Sequence, residues 1–254
     1  MKIFKLILNT IPRPLLIKGS YLVRPLISLY LKGNKYTDPI DKKSFRKFLP
    51  YGYEDQRENV LAPGTLSLER HRLLWLFLER KTEFFTKSLK VLHVAPEQCF
   101  YKLFRNQSNL DYTTTDLYSP LADVKADICS LPFEDNSYDL IFCNHVLEHI
   151  ENDKKAMEEL YRVLRPGGFG IFQIPQDLSR KNTYEDFTIT NPKERKKHFG
   201  QYDHVRIYGK DYFDKLRQVG FSVNEIACSD IGTTKEIETF RLSKEEILPV
   251  CTKK

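Results

Sequence analysis

The stretch SYDLIFCNHVLEHIENDKKAMEELYRVLRPGGFGIFQIP, residues 137–175, reads as a buried strand, a turn, a helix and a second buried strand. YDLIF is apolar and too short to be a helix of its own. Residues 153–164 bring Ala156, Leu160, Val163 and Leu164 onto one helical face. Asp153 supplies a cap at the start, and Pro166, Gly167 and Gly168 stop the helix. The chain then enters a second apolar run, GFGIFQIP.

The alternation continues on both sides. Upstream lie the short runs KVLHVA (90–95), NLDYTTTD (109–116) and DVKADI (123–128), with a helix over EQCFYKLF between the first two. Downstream a helix over GKDYFDKLRQVG precedes FSVNEIAC (221–228), and EEILPVCTK (245–253) closes the sheet. Buried strands alternating with helices predict an α/β fold, a doubly wound, mostly parallel seven-stranded sheet. Ligands of such sheets sit outside the carboxyl ends of the strands, where the strand order reverses.

With 254 residues, 41% hydrophobic and 29% charged, the chain is neither disordered nor a membrane bundle. Its net charge of +6 is mild and forms no dense basic stripe, so no nucleic-acid partner is expected. The five cysteines are odd in number and scattered, as in a protein with reduced thiols in a reducing cytosol.

Four regions separate by composition. Residues 1–36 form a basic, apolar arm with no acid before Asp38. No apolar run there reaches the roughly 18 to 20 residues needed to span a bilayer, and no signal-peptide cleavage pattern follows. Two readings stay open for the arm: an interfacial segment on an anionic lipid surface, or a segment packed on the domain or a partner. Residues 37–66 are turn-rich, with Pro39, Pro50, Gly52, Pro63 and Gly64. Residues 67–89 form a linking helix with Ser67 as its N-cap and Leu73, Leu74, Leu76 and Phe77 on its apolar face. The main domain takes residues 90–254, and a polar insertion, 176–209, follows its fifth strand as a lid or acceptor site.

The turn after the first strand is where a nucleotide-binding sheet normally carries glycines, because the backbone approaches the ligand there, often with positive φ. Ala95, Pro96, Glu97 and Cys99 stand there instead. Pro96 removes a donor and Glu97 adds negative charge, so a pyrophosphate is poorly received and a ligand with a cationic amino group suits better. A purely structural turn is the other reading. Asp116 closes the second strand, about where an acid would hold ribose hydroxyls, and equally where a turn cap would sit. Asp127 ends the third run, where a carboxylate could accept from an adenine amine beside the Ile128 backbone.

LEH after the fourth strand and RVLRPGG before the fifth, with ADICSLPFEDNSYDLI ahead of them, closely resemble the class I S-adenosylmethionine-dependent methyltransferases. The resemblance covers residues 90–254. It implies S-adenosylmethionine as cofactor, and a pocket lined by Ala95, Pro96 and Glu97, by Asp116 with Leu117, by Asp127 with Ile128, and by Asn144 with His145. The family's acidic residue on the first strand falls here on His93, and its three glycines on Ala95, Glu97 and Cys99. LHVAPE and DHVRIYG (203–209) resemble a sub-branch in which a zinc-ribbon-like pair of C-P-x-C knuckles precedes the linking helix. Here the knuckles read DPID and APGT, placing Asp38, Asp41, Ala62 and Thr65 where four thiolates would be, so a degenerate ribbon without metal is expected.

HVLEH (145–149) also matches H-x-x-E-H, the zinc motif that sets two histidines one turn apart with a glutamate as base. It follows a buried strand, with no distant third ligand in view, so zinc chemistry is not expected and His149 and Glu148 read as structural. In the insertion, His198, His204 and Tyr208 are the residues to test for proton removal, and Asp203 and Arg206 for acceptor contact. The opposing reading ties Asp203, His204 and Arg206 to the domain by hydrogen bonds alone. The function expected is methyl transfer to a small-molecule, glycan or lipid-linked acceptor. The alternative is a methyltransferase-like fold that binds or scaffolds without catalysis.

Overall fold

The computed structural model describes residues 13–52 and 56–254, so the first twelve residues of the arm lie outside them. The chain divides into two compact units, residues 1–82 with 227–246, and residues 83–226 with 247–254. The linking helix therefore belongs to the first unit.

The first unit begins with helix α1 (Arg13–Tyr30), interrupted in sequence by Pro25. Strands β1 (Lys32–Thr37) and β2 (Ser44–Phe45) pair antiparallel, as do β3 (Leu49–Tyr51) and β4 (Arg57–Leu61). Helix α2 (Glu69–Lys81) follows. Leu31, Phe45, Phe48 and Ala62 are almost fully buried and form a small apolar core, which the short strands could not bury singly. The DPID and APGT segments are joined by a hydrogen bond: Thr65 Oγ1 donates to Asp38 Oδ2 at 2.5 Å, and Asp38 is wholly buried. Ser67, expected as the cap of α2, donates instead to Asp38 Oδ2 at 3.2 Å. Leu68 takes the cap position, and its N–H reaches His71 Nδ1 at 3.0 Å. Buried Arg72 satisfies the carbonyls of Val60, Ser67, Phe240 and Arg241 at 2.6 to 3.0 Å. No described helix is long and apolar enough to cross a membrane.

The second unit carries a seven-stranded sheet. Its elements are β5 (Leu89–Val94), α3 (Gln98–Arg105), β6 (Leu110–Asp116), β7 (Val124–Lys125), β8 (Tyr138–Cys143), α4 (Asp153–Val163) and β9 (Leu164–Ile171). The insertion contributes β10 (Tyr184–Glu185), α5 (Pro192–Phe199) and β11 (Arg206–Ile207). Helix α6 (Tyr212–Val219), β12 (Ser222–Ala227) and β13 (Ile247–Thr252) complete the sheet, while α7 (Thr234–Thr239) lies in the excursion assigned to the first unit. The strand order is β12-β13-β9-β8-β5-β6-β7. β9 to β7 run parallel and β13 lies antiparallel to β9, as the mostly parallel expectation requires.

The central strands β5 and β8 are continuous apolar runs because both faces are covered. Ala156, Leu160 and Val163 of α4 are fully buried with Leu92, Ile141 and Phe172 in one core. The cap of α4 differs from expectation: Asn152 accepts from the Lys155 N–H at 3.0 Å. Asp153 is the first helical residue and its Oδ2 accepts from the Tyr208 hydroxyl at 2.8 Å. Pro166, Gly167 and Gly168 do not precede β9 but bulge within it, shifting its register against β8. Gly167 has φ of +78°, and a Cβ on Gly168 would lie 2.8 Å from the Asp139 carbonyl. The third run shortens to the two residues of β7, since only Val124 and Lys125 pair with β6. All five cysteines are reduced thiols.

Candidate active site

The chain leaves β5 toward β6 and β7 on one side, then returns through β8 to the other, so the order reverses between β5 and β8. Register sets what meets there. Val94 of β5 pairs with Thr115 of β6 and with Cys143 of β8. The next residue of each strand therefore stands at one level of the carboxyl edge: Ala95, Asp116 and Asn144.

The two turns flanking the reversal share a left-handed backbone without glycine. Ala95 has φ of +50° and His145 has φ of +54°. Such a conformation costs a non-glycine residue on the order of 1–3 kcal/mol and persists where its surroundings hold it. Three bonds do so: Ala95 N–H to Thr115 O (2.8 Å), His145 N–H to Gln173 O (2.7 Å), and Gln173 N–H to Asn144 Oδ1 (3.1 Å). The last bond also orients the Asn144 amide, leaving Nδ2 to donate to Glu97 Oε1 at 3.0 Å.

Glu97 is bound on its other oxygen as well, by Nε2 of buried His93, whose Nδ1 meets the Tyr112 hydroxyl at 2.7 Å. Burial first, then the Glu97 charge, push the Tyr112 phenol well above its ordinary range, so it stays a donor. The result is a relay from Tyr112 through His93 to Glu97 and Asn144. Glu97, one residue after Pro96, thus sets a carboxylate from the turn against the buried imidazole of the strand.

Asp116 uses Oδ1 to accept from the N–H groups of Tyr118 and Ser119, at 2.7 and 2.6 Å. Leu117 beside it is exposed. Asp127 Oδ1 caps Cys129 at 2.8 Å, and the Ile128 side chain enters the core.

The insertion residues divide. Arg206 is 1% exposed and Tyr208 is fully buried. Arg206 donates to the carbonyls of Leu147, Ile150 and Glu151 and to Glu185 Oε2, and Tyr208 binds Asp153, so both secure the turn after β8. With these groups engaged and out of solvent, their geometry is that of positioning residues and not of the acceptor contact and proton acceptor expected. His198 lies on α5, with Nδ1 3.2 Å from the Tyr184 hydroxyl. Asp203 and His204 stand next to His149: Asp203 Oδ2 is 3.4 Å from His149 Nδ1, and the rings of His149 and His204 meet edge to face at 4.7 Å. Val205 N–H donates to Glu148 O at 3.0 Å, which sets that proximity. Sequence reading passed over Gln173 and took Glu148 as structural. Glu148 is buried, and although burial acts to raise its carboxyl, His145 and His149 hold it below the usual range.

The sheet order and its antiparallel seventh strand define a class I, S-adenosylmethionine-dependent methyltransferase fold, and this class uses S-adenosylmethionine as methyl donor. Residues 85–172 match the family described as "Methyltransferase domain". Among curated relatives, the sterol 4-C-methyltransferase of Caenorhabditis elegans is 35% identical over 82 residues, 32% of this chain and 22% of that protein. The 2-phytyl-1,4-naphtoquinone methyltransferase of Nostoc punctiforme is 38% identical over 116 residues, 41% of this chain and 50% of that protein. The matches thus span half or less of these relatives. A solved S-adenosylmethionine-dependent methyltransferase from Mesorhizobium loti superposes with a TM-score of 0.47 at 16% identity, over 70% of this chain and 96% of that one.

Proposed function

We propose that the protein transfers the methyl group of S-adenosylmethionine to an apolar or lipid-linked acceptor met at a membrane surface. The observation that carries the donor half is the donor set of the carboxyl edge. Carboxylates of Glu97, Asp116 and Asp127 follow three adjacent strands, and Asn144 with His145 follows the fourth. Such a set suits a ligand with a cationic amino group, ribose hydroxyls and an adenine amine, and repels a phosphate. On this reading Glu97 exchanges the Asn144 amide for the amino group, Asp116 keeps its turn with Oδ1 and offers Oδ2 to the ribose beside Leu117, and Ala95 and Pro96 allow close approach. The bound donor supplies an electrophilic methyl on sulfur. The chain's share is alignment of the acceptor with it, which needs no dedicated base. His198, Asp203 and His204 are the insertion residues that remain for acceptor contact.

The acceptor half rests on the first unit and on relatives whose names specify a sterol and a naphthoquinone. α1 exposes Leu22, Val23, Leu26, Leu29 and Tyr30, each more than half accessible. Beside it lies a pocket of about 590 Å³ whose lining includes Arg24, Lys32, Lys42 and Lys43. Lys42 pairs with Glu79 at 3.0 Å and Lys43 with Asp41 at 3.4 Å, while the lining as a whole stays basic. An apolar face beside basic groups suits anionic lipid, with the protein peripheral to the membrane.

Titration calorimetry with S-adenosylmethionine and S-adenosylhomocysteine tests the donor half. Micromolar binding lost in Asp116→Ala supports it. No binding at millimolar ligand rejects it in favour of a non-catalytic scaffold, the reading that the closed Glu97 brace would then explain. Sedimentation with phosphatidylserine vesicles tests the membrane half, and equal partitioning of the full chain and a chain starting at residue 37 rejects it.

A further inference from the structure

Glu148, His149 and His204 each offer one ligand atom, and these atoms lie within 4.8 Å of one another. The first two come from the turn after β8 and the third from the insertion, 55 residues beyond His149 in sequence. The H-x-x-E-H pattern lacked a distant third ligand when read along the chain. Folding supplies one, and it replaces His145.

Each member is prepared for coordination. Glu148 is 1% exposed, and its Oε1 lies 3.3 Å from His145 Nδ1. Its other oxygen, Oε2, is buried with no hydrogen-bond partner. A buried carboxylate oxygen left unpaired costs on the order of 1–3 kcal/mol, so it points to a missing cation or donor. His204 Nδ1 faces the Phe199 carbonyl at 3.2 Å, and His149 Nδ1 faces the Asp203 carbonyl at 3.3 Å. These are the outer partners that hold a metal-binding imidazole in the tautomer with Nε2 unprotonated.

We infer that Glu148, His149 and His204 bind a divalent transition ion of the zinc class, which ties the insertion to the turn after β8. Two imidazoles and one carboxylate form a three-ligand set with an open fourth position. Ligand atoms around tetrahedral zinc lie about 3.4 Å apart at bond lengths near 2.1 Å, so atoms now within 4.8 Å of one another close by up to about 1.4 Å. The His149 side chain is 28% exposed, so the movement meets solvent on that side. The inference asks nothing of Glu97, Asp116 or Asp127 and so does not rest on methyl transfer, but an ion on His204 takes that residue out of the set left for acceptor contact.

Untagged full-length protein, stripped with chelator, is titrated with Zn²⁺ by calorimetry and with Co²⁺ by visible absorption. One ion per chain at micromolar affinity or tighter is expected, with the d–d bands of nitrogen and oxygen ligands. Glu148→Gln, close in shape to the native residue, and His204→Ala each weaken binding at least about 100-fold, beyond the loss expected for an orienting group. Zn²⁺ also slows proteolysis within residues 176–209 in the native chain and not in Glu148→Gln. Absence of saturable binding at millimolar Zn²⁺, equal affinity in both variants, or a cobalt–thiolate charge-transfer band would each overturn the inference, the last by assigning the ion to a cysteine.

Discussion

Asn144 Nδ2 donates to Glu97 Oε1 across 3.0 Å, joining the turn after β8 to the turn after β5 where the strand order reverses. The bond is possible because both turns hold a left-handed residue, Ala95 and His145, that sends the chain sharply off the strand end. It also puts the one carboxylate of the first turn at the centre of the crevice, with His93 beneath it.

Glu97→Gln keeps an acceptor for the Asn144 amide and removes the charge. We expect the fold to persist and S-adenosylmethionine affinity to fall at least about tenfold, the size of one lost charged hydrogen bond. Calorimetry checks it, and unchanged affinity would remove Glu97 from the amino-group role. Glu97→Ala strands both His93 and Asn144 and costs about 1–3 kcal/mol in urea unfolding.

Ala95 pays for a backbone that glycine adopts freely. Ala95→Gly therefore leaves stability unchanged or raises it by up to about 1 kcal/mol, after allowance for the entropy of the unfolded chain. Ala95→Val, branched at Cβ, loses about 1–3 kcal/mol. Chemical denaturation of both variants measures the difference, and native stability in the Ala95→Val protein would show the turn to be unstrained.

Removing Arg206 leaves the carbonyls of Leu147, Ile150 and Glu151 without their donor in a buried site. Arg206→Ala is expected to cost about 3–5 kcal/mol and to expose residues 176–209 to protease. Arg206→Lys rescues little, since a single ammonium cannot span three carbonyls and Glu185. Near-native stability of Arg206→Ala would mean that water replaces the guanidinium without loss.

Hydrogen bonds from Arg80 foremost, with the Thr233 N–H, hold the Glu236 carboxyl at about 2 against an ordinary 4.5. The folded value lies below the unfolded one, so the stabilisation is present above about pH 4.5 and is lost as pH falls toward about 2. Arg80→Gln should flatten the acid limb of stability in that window. Its urea midpoint, followed from neutral pH downward, reads this directly, and parallel acid limbs for the two proteins would contradict it.

Much of the second unit was legible in residue order. Continuous apolar runs such as KVLHV and YDLIFC marked strands covered on both faces, and the Ala156–Leu160–Val163 stripe marked the helix between two of them. Local signals failed where a neighbour competed for the same side chain. Ser67 left its cap for Asp38, and Asp153 yielded the cap to Asn152 because Tyr208 holds its carboxylate. Arg206 looked like an acceptor contact and Tyr208 like a proton acceptor because a polar segment near a sheet edge is normally solvated, and only packing revealed that both are buried.

The sequence by itself determined the strand and helix periods, and with them the parallel sheet and the positions of Ala95, Asp116 and Asn144 at strand ends. These are properties of short windows, set by side-chain period and turn chemistry. Tertiary structure alone decided that Glu97 bridges His93 to Asn144, that Thr65 meets Asp38, and that His204 joins Glu148 and His149. Those pairings span up to 56 residues or join separate elements, and their partners are chosen by register and burial, which no short window of sequence contains.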